Sequence, residues 1–334
     1  MVELSRMTGL WSRMFSEVKA NRDIDDDTNI DNVIEHIICF TEMTGGMLCG
    51  GFPRYLASID ARRHPDISRR NKGDTPNVLS YLANGGDLDF FFRDSNDFDA
   101  SVCMMTMNVN ALNISRRKER LPFIVLETCD SLLRNAVNFK LTFQRGRFYD
   151  HNAFKVQLIK KQFTDLEPTL SGFDMTNSMI SKVDDDIVCH PDWLKLERSR
   201  TIDVDHMNGP FALGRVRKYI NRHRYRHLTG TSWSKIFSRV ESLVSELGKD
   251  PITTFIGSRL RLSYNGMSAV SDFNMIVQKC PDDVCIESQG VYSDIVDVTI
   301  RKELNRRHES KTFVKSPPKT HELREISPSN EDMY

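Results

Sequence analysis

The run DLDFFF at residues 87–92 places two carboxylates inside an otherwise apolar strand pattern. Alternate side chains of a β-strand point to the same face, so Asp87 and Asp89 project together, while Leu88 and Phe90 serve packing on the other side. Two adjacent carboxylates repel each other unless a cation lies between them. Mg²⁺ takes oxygen ligands, usually one or two carboxylates plus substrate phosphates. The run therefore predicts a strand that binds a divalent metal.

A second stretch, LCGGFPR at residues 48–54, ends a short apolar strand in two glycines and then begins a helix. Because Gly50 and Gly51 carry no side chains, a triphosphate can approach the backbone there, where the free N–H groups of a helix start point at it. Arg54 lies one turn into the helix and could neutralise phosphate oxygens. The stretch predicts a phosphate-facing turn.

Either motif alone is most often structural, since double glycines punctuate many turns and Asp-x-Asp is common on half-exposed strand edges. Their order is more informative, because a later apolar run, SGFDMTNSMI at residues 171–180, is predicted to be a strand and carries Asp174. Two-metal phosphoryl transfer places ions about 3.5–4 Å apart and needs a further carboxylate nearby. Asp174 is the best candidate for that carboxylate.

This order of motifs resembles the head domain of the nucleotidyltransferase superfamily, and within it the class II CCA-adding enzyme and bacterial poly(A) polymerase group. The group has a similar signature, in which a Gly-Gly strand-to-helix turn followed by Arg precedes an acidic-x-acidic strand. The resemblance covers about residues 30–225. It implies two sets of site residues, the nucleotide-binding Gly50, Gly51 and Arg54, and the catalytic, metal-binding Asp87, Asp89 and Asp174. The implied cofactor is Mg²⁺ or Mn²⁺, and the implied substrate is a nucleoside triphosphate.

Three features differ from the tRNA enzymes of that group. Tyr55 follows Arg54 where those enzymes usually have Asp, and the segment between the two motifs is longer here. No stretch matches the Glu-Asp-x-x-Arg motif that selects incoming C or A. The base that is added is therefore left open.

The wider pattern predicts an α+β fold, with a polymerase β-like mixed sheet flanked by helices and a mainly helical neck and C-terminal region. An amphipathic helix is expected from Ile30, and another after residue 95 with Phe98, Val102 and Met105 in the core and Met104 as a further core candidate. The expected organisation is an N-terminal segment (1–28), a head domain (29–189), a neck and C-terminal region (190–301) and a disordered tail (302–334).

A strongly basic helix is predicted within residues 208–228, in the position of the neck helix of the resembled enzymes. Its basic residues suit RNA backbone contacts, and the interleaved Tyr219 and Tyr225 suit base stacking. A solvated helix face explains the same pattern equally well. The candidate RNA-binding residues are Arg215, Arg217, Lys218, Arg222, Arg224 and Arg226.

Composition narrows the function classes further. Lys+Arg and Asp+Glu both number 46, so any nucleic-acid binding must come from local patches. Seven cysteines without a CxxC pair give no disulfide framework or four-thiolate zinc site. Without a signal peptide or a long apolar stretch, the expectation is a cytoplasmic protein that does not bind a membrane. The oligomeric state is left open.

Three functional hypotheses follow. The leading one is a metal-dependent nucleotidyltransferase that moves a nucleoside monophosphate to a hydroxyl, with an RNA 3′ end as the preferred acceptor, and releases pyrophosphate. The second keeps this chemistry but uses a small molecule or a protein as acceptor. The third is a catalytically inactive domain of the same fold that binds RNA or supports assembly.

Overall fold

The computed structural model describes residues 4–14, 30–62, 81, 86–129, 136–145, 148–160, 163–208, 212–247, 255–256, 259–260 and 266–280. Contacts group the chain into one unit, Met1–Val284, and a second unit, Cys285–Tyr334. All of the described residues belong to the first unit, so the tail predicted for residues 302–334 lies outside them. The domain boundaries predicted after residues 28, 189 and 301 stay predictions.

A mixed sheet of eight strands forms the centre of the first unit. The strands are β1 (Ser5–Met7), β2 (Gly46–Cys49), β3 (Asp87–Phe92), β4 (Phe123–Cys129), β5 (Ala136–Arg145), β6 (Phe148–Ile159), β7 (Ile180–Val183) and β8 (Asp186–Cys189). Their spatial order is β1-β8-β7-β2-β3-β6-β5-β4. β3 and β6 pair in parallel, and the other neighbours pair antiparallel.

Helices flank this sheet and continue after it. They are α1 (Ile30–Met43), α2 (Gly51–Arg62), α3 (Ser95–Lys118), α4 (Leu166–Ser171), α5 (Trp193–Ser199), α6 (Ala212–His223), α7 (Gly230–Leu247) and α8 (Gly266–Lys279). The two-stranded pairs β9 (Thr201–Ile202) with β10 (His227–Leu228) and β11 (Phe255–Ile256) with β12 (Arg259–Leu260) accompany the later helices. This α+β architecture, with a mainly helical region after the sheet, confirms the predicted fold class. Among the described helices, none has the length and apolarity needed to cross a membrane.

The main hydrophobic core lies on one face of the sheet. Leu88, Phe90 and Phe92 of β3 are fully buried there, as the alternating sequence predicts. α3 packs on the same face, and the ring of its Phe98 meets Phe92 edge to face at 5.5 Å between centroids. The expectation that Met104 joins this core was wrong, because its side chain points to the outer side of α3 and is exposed.

The run SGFDMTNSMI is not a single strand. α4 ends at Ser171, a bend follows, a 3₁₀ turn occupies Thr176–Ser178, and β7 starts only at Ile180. Asp174 therefore lies in the bend, and the strand predicted around it was wrong. β1, β4 and β8 were not predicted from the sequence.

Candidate active site

The Gly50-Gly51 turn connects β2 to α2 in a conformation that needs glycine. Gly50 has φ +77°, in the left-handed region that favours glycine, and its N–H donates to the carbonyl of Ile180 at 2.8 Å. A Cβ on Gly51 would lie 2.7 Å from Oη of Tyr81, and one on Gly50 would lie 3.3 Å from the ring of Phe173. The first turn of α2 thus begins at two glycines whose backbone is in close contact with the side chains of Phe173 and Tyr81.

Asp87 and Asp89 project from the face of β3 opposite the core. Both are half-buried, whereas the residues that alternate with them are fully buried. Asp89 is paired in register with Cys49 of β2 on one side and Gln157 of β6 on the other. Because Cys49 directly precedes Gly50, the sheet places the carboxylate pair next to the Gly-Gly turn, as the sequence predicts.

The environment of Asp89 disfavours an isolated negative charge. Its Oδ1 atom is buried and has no hydrogen-bond partner among the described residues. Burial, and then the charge of Asp87, raise the pKa of Asp89 well above its usual value, while the charge of Lys218 lowers it. A buried carboxylate oxygen without a donor is costly unless a cation satisfies it. The donor set therefore fits a divalent metal ion.

Tyr81 also lies beside the carboxylate pair, and it was not predicted as a site residue from the sequence. Its hydroxyl donates to the backbone carbonyl of Asp87 at 3.2 Å, and its ring lies 4.8 Å from that of Tyr55. Burial, followed by the charges of Asp87 and Asp89, raises the pKa of Tyr81 well above its usual value, so the phenol stays neutral. No motif distinguishes this tyrosine, which follows a long polar segment in the sequence.

The side chain of Arg54 is buried and does not face solvent at the Gly50-Gly51 turn. Its side chain is only 1% exposed, its Nη1 donates to Oη of Tyr225 at 3.2 Å, and its guanidinium lies 4.8 Å from the ring centre of Tyr219. Glu197 balances the charge at 3.8 Å and also accepts a hydrogen bond from Tyr225. Nε and Nη2 of Arg54 have no partner among the described residues. The arginine thus ties the start of α2 to the helical region after the sheet.

Asp174 is buried beside the site but faces a different partner. Its Oδ2 accepts a hydrogen bond from Nε of Arg215 at 2.5 Å, and its side chain is 6% exposed. Its neighbour Phe173 lies against Gly50 and 5.4 Å from the ring of Phe91, on the same strand face as the carboxylate pair. Among the described residues, no three His, Cys, Asp or Glu side chains are gathered to hold a metal. In this arrangement Asp174 is not joined to the Asp87–Asp89 pair.

The basic helix α6 is present, but several of its residues have intramolecular partners. Arg215 pairs with Asp174, and Arg217 donates to Asp272 at 2.7 Å. Lys218 makes no ion pair or hydrogen bond within the described part of the chain, and its charge acts on Asp89. The side chain of Arg222 lies outside the described residues, while Arg224 and Arg226 are exposed after the helix.

Tyr219 and Tyr225 are not available for base stacking. Both are buried, and they pack against each other at 5.5 Å between ring centres. Tyr219 also shares a hydrogen bond with Ser178, between the two hydroxyl oxygens, at 2.7 Å. The stacking role predicted for them was wrong, because they form the wall around Arg54.

Comparison with known proteins gives similarity at the level of structure. No protein-family model matches the chain, and no curated protein matches it significantly. Among solved structures, a CCA-adding enzyme in complex with ATP matches with a TM-score of 0.42 and 13% identity over 83% of this chain and 56% of that one. A tRNA-processing enzyme with CTP matches with a TM-score of 0.37 and 10% identity over 73% of this chain and 52% of that one.

The first of these structures is a CCA-adding enzyme, the kind of enzyme that the sequence motifs resemble. The chain spans about half the length of these structures. Because the TM-scores and identities are low, the function is argued from the contacts of this chain's own residues.

Proposed function

We propose that the chain is a metal-dependent nucleotidyltransferase that transfers a nucleoside monophosphate from a nucleoside triphosphate to a hydroxyl group and releases pyrophosphate. The observation that carries the proposal is the carboxylate pair Asp87–Asp89 beside the Gly50-Gly51 turn, in which Oδ1 of Asp89 is buried and receives no hydrogen bond from the described residues. A pair of acids next to a helix start fits a metal-bound triphosphate better than it fits a packing role.

Asp87 and Asp89 would hold the ion, Mg²⁺ or Mn²⁺, through their carboxylate oxygens. A bound divalent ion would supply positive charge to the phosphate oxygens and to the leaving pyrophosphate. The rest of the site orients the substrate. Gly51 lets the start of α2 lie against the hydroxyl of Tyr81, beside Asp87, and the first N–H groups of α2, which have no partner within the helix, would face the phosphates.

Two further residues receive roles in this proposal. Lys218 is the described basic side chain of α6 that lacks a carboxylate partner, so its ammonium would face the phosphates beside Asp89. Arg54 would act indirectly, because it is enclosed by Tyr225, Tyr219 and Glu197 and holds α2 in place. Direct contact between Arg54 and the triphosphate would require this enclosure to open.

Asp174 is proposed as the third carboxylate of the site. It lies next to Phe173, which covers Gly50, so its loop borders the nucleotide turn. To bind metal, its carboxylate must exchange Arg215 for the ion. The pairing with Arg215 favours a second candidate function, in which the domain binds nucleotide or RNA without transferring it.

The proposed acceptor is the 3′ end of an RNA. Lys155, exposed on β6, is in register with Asp87, and Lys140 on β5 is in register with Lys155. These lysines continue the carboxylate-bearing face away from the turn, where a phosphate backbone could run. Exposed Arg224 and Arg226 add positive charge after α6.

One assay separates these functions. The wild type is incubated with labelled ATP, CTP, GTP or UTP, mixed RNA and Mg²⁺ or Mn²⁺, beside an Asp87→Ala/Asp89→Ala variant and an exposed control, Asp99→Ala. We expect labelled RNA with the wild type and with Asp99→Ala, and none with the Asp87→Ala/Asp89→Ala variant. If a protein or a small molecule is labelled instead of RNA, that molecule is the acceptor. Nucleotide binding without any labelling would favour the inactive domain, and equal labelling by all variants would remove the catalytic assignment.

A further inference from the structure

Three of the five exposed large hydrophobic side chains among the described residues lie on one helix, α3. Met107 and Ile114, both on α3, are 67% and 63% exposed. Soluble monomers mostly expose large apolar side chains singly, so several on one helix face indicate an interaction surface. The full set lies on α3 or beside its ends, and it comprises Met43, Met104, Met107, Ile114 and Phe123.

The exposed apolar positions on α3 follow a coiled-coil spacing. We call the set Ala100, Met104, Met107, Ala111 and Ile114 the α3 stripe. Successive members are separated alternately by four and three residues, which is the spacing of a helix-to-helix seam. The helix has 24 residues, so it is about 36 Å long.

Met43 and Phe123 lie near the two ends of α3 but are not part of the stripe. Thr44, which follows Met43, shares a hydrogen bond with Ser101 between hydroxyl oxygens at 2.5 Å, and the backbone N–H of Ile124, which follows Phe123, donates to Asn113 at 2.8 Å. Ser101 and Asn113 belong to the buried face of α3, so the proposed contact is built on the stripe alone.

The two ends of α3 carry opposite charge. Asp94, Asp97 and Asp99 outnumber Arg93 at its beginning, and Arg116, Arg117, Lys118 and Arg120 outnumber Glu119 at its end. A second α3 laid antiparallel on the stripe would bring acidic and basic ends together at both ends of the contact. A parallel arrangement would bring like charges together, which costs free energy.

We propose that the α3 stripe is the interface of a homodimer in which two copies of α3 pack antiparallel about a twofold axis near Val109. In this register Met104 lies opposite Ile114 of the partner subunit, and Met107 lies opposite Ala111 of the partner subunit, so a large side chain meets a small one at the centre. The contact is self-complementary, as a twofold interface requires. One helix pair is a small interface, so the dimer is weak and its population depends on concentration.

The dimer leaves the candidate active site open. α3 packs on the sheet face that carries Phe92, whereas Asp87 and Asp89 project from the other face. Dimerisation and the proposed transfer reaction are therefore independent, and failure of one does not remove the other.

Sedimentation velocity of the full chain from about 1 to 100 µM tests the dimer. The wild type should shift from monomer to dimer over this range, while Met107→Glu and Ile114→Glu should stay monomeric with unchanged circular dichroism. Thr106→Glu is the matched control, because it puts the same charge on an exposed position of the same helix about 100° away from Met107. A monomeric wild type throughout, or equal dissociation by Thr106→Glu, would overturn the proposal.

Cysteine cross-linking tests the antiparallel register. In a Cys39→Ser/Cys103→Ser background, which removes the exposed native thiols on α1 and α3, Asn110→Cys lies near the axis and should form a disulfide-linked dimer. Met104→Cys should not form a disulfide-linked dimer, because position 104 of the partner subunit would lie about 15 Å away along the helix axis. Efficient cross-linking at Met104→Cys would overturn the antiparallel arrangement.

Discussion

Nε of Arg215 lies 2.5 Å from Oδ2 of Asp174, which ties helix α6 to the loop that passes over the Gly-Gly turn. Phe173, in the same loop, lies against Gly50 and stacks edge to face on Phe91. The ion pair therefore positions α6 at the carboxylate-bearing face of the sheet. Lys218, one turn further along α6, is close enough for its charge to act on Asp89.

Loss of this pair should destabilise the fold. Arg215→Met leaves the buried carboxylate of Asp174 without its donor, and we expect a cost of about 1–2 kcal/mol in the free energy of unfolding. Urea denaturation measures it. Asp174→Asn in the same chain should recover part of the loss, so the double-mutant cycle should give a coupling energy. Additive effects of the two substitutions would show that the pair is not coupled.

Lys218→Met should weaken nucleotide binding while leaving the fold intact. The substitution keeps most of the apolar stem but removes the charge that faces Asp89 and, on our proposal, the phosphates. We expect about tenfold weaker binding of a non-hydrolysable ATP analogue with Mg²⁺, measured by calorimetry. Arg217→Met is the control, because the neighbouring Arg217 pairs with Asp272 instead. Equal affinities in both variants and the wild type would remove Lys218 from the site.

Gly51→Ala should disturb the nucleotide turn through Tyr81. The new Cβ would lie 2.7 Å from Oη of Tyr81, so the ring must shift from its place beside Asp87. We expect roughly tenfold weaker nucleotide binding. Adding Tyr81→Phe removes the clashing oxygen and should restore much of the affinity, at a cost of about 1 kcal/mol in stability from the lost hydrogen bond. No recovery in the double variant would contradict this cause.

Glu197→Gln should be among the more destabilising conservative substitutions. It leaves the buried guanidinium of Arg54 without a nearby opposite charge, and breaking a buried pair costs about 3–5 kcal/mol. Arg93→Met is the matched control, because it breaks the exposed pair with Asp165 and should cost less than about 1 kcal/mol. Thermal unfolding compares the two variants. Equal losses would show that Glu197 does not stabilise Arg54.

The parts of the fold that depend on local pattern could be predicted from the sequence. The alternation in residues 87–92 gave β3 with both carboxylates on one face, and the two glycines gave the β2-to-α2 turn. Each of these depends on a period or on a residue type within a few positions. The carboxylate pair and the turn are adjacent because β2 and β3 are paired in the sheet, which their order in the sequence suggested.

The remaining features depend on contacts between distant parts of the chain. The strand expected at Asp174 is replaced by a bend because Met175 bridges to Val204 and the backbone carbonyl of Asp174 accepts from Asp205. Arg54 is enclosed by Glu197 and Tyr225, which lie far along the sequence. Local periodicity contains no information about such partners.

The most direct test of the central claim is metal binding at Asp87 and Asp89. Electron paramagnetic resonance titration with Mn²⁺ compares the wild type with Asp87→Asn, Asp89→Asn and the exposed control Asp99→Asn. These substitutions keep side-chain shape and remove charge, so we predict at least about tenfold weaker binding for the first two and unchanged binding for the control. Equal Mn²⁺ affinity in all four proteins would contradict the account.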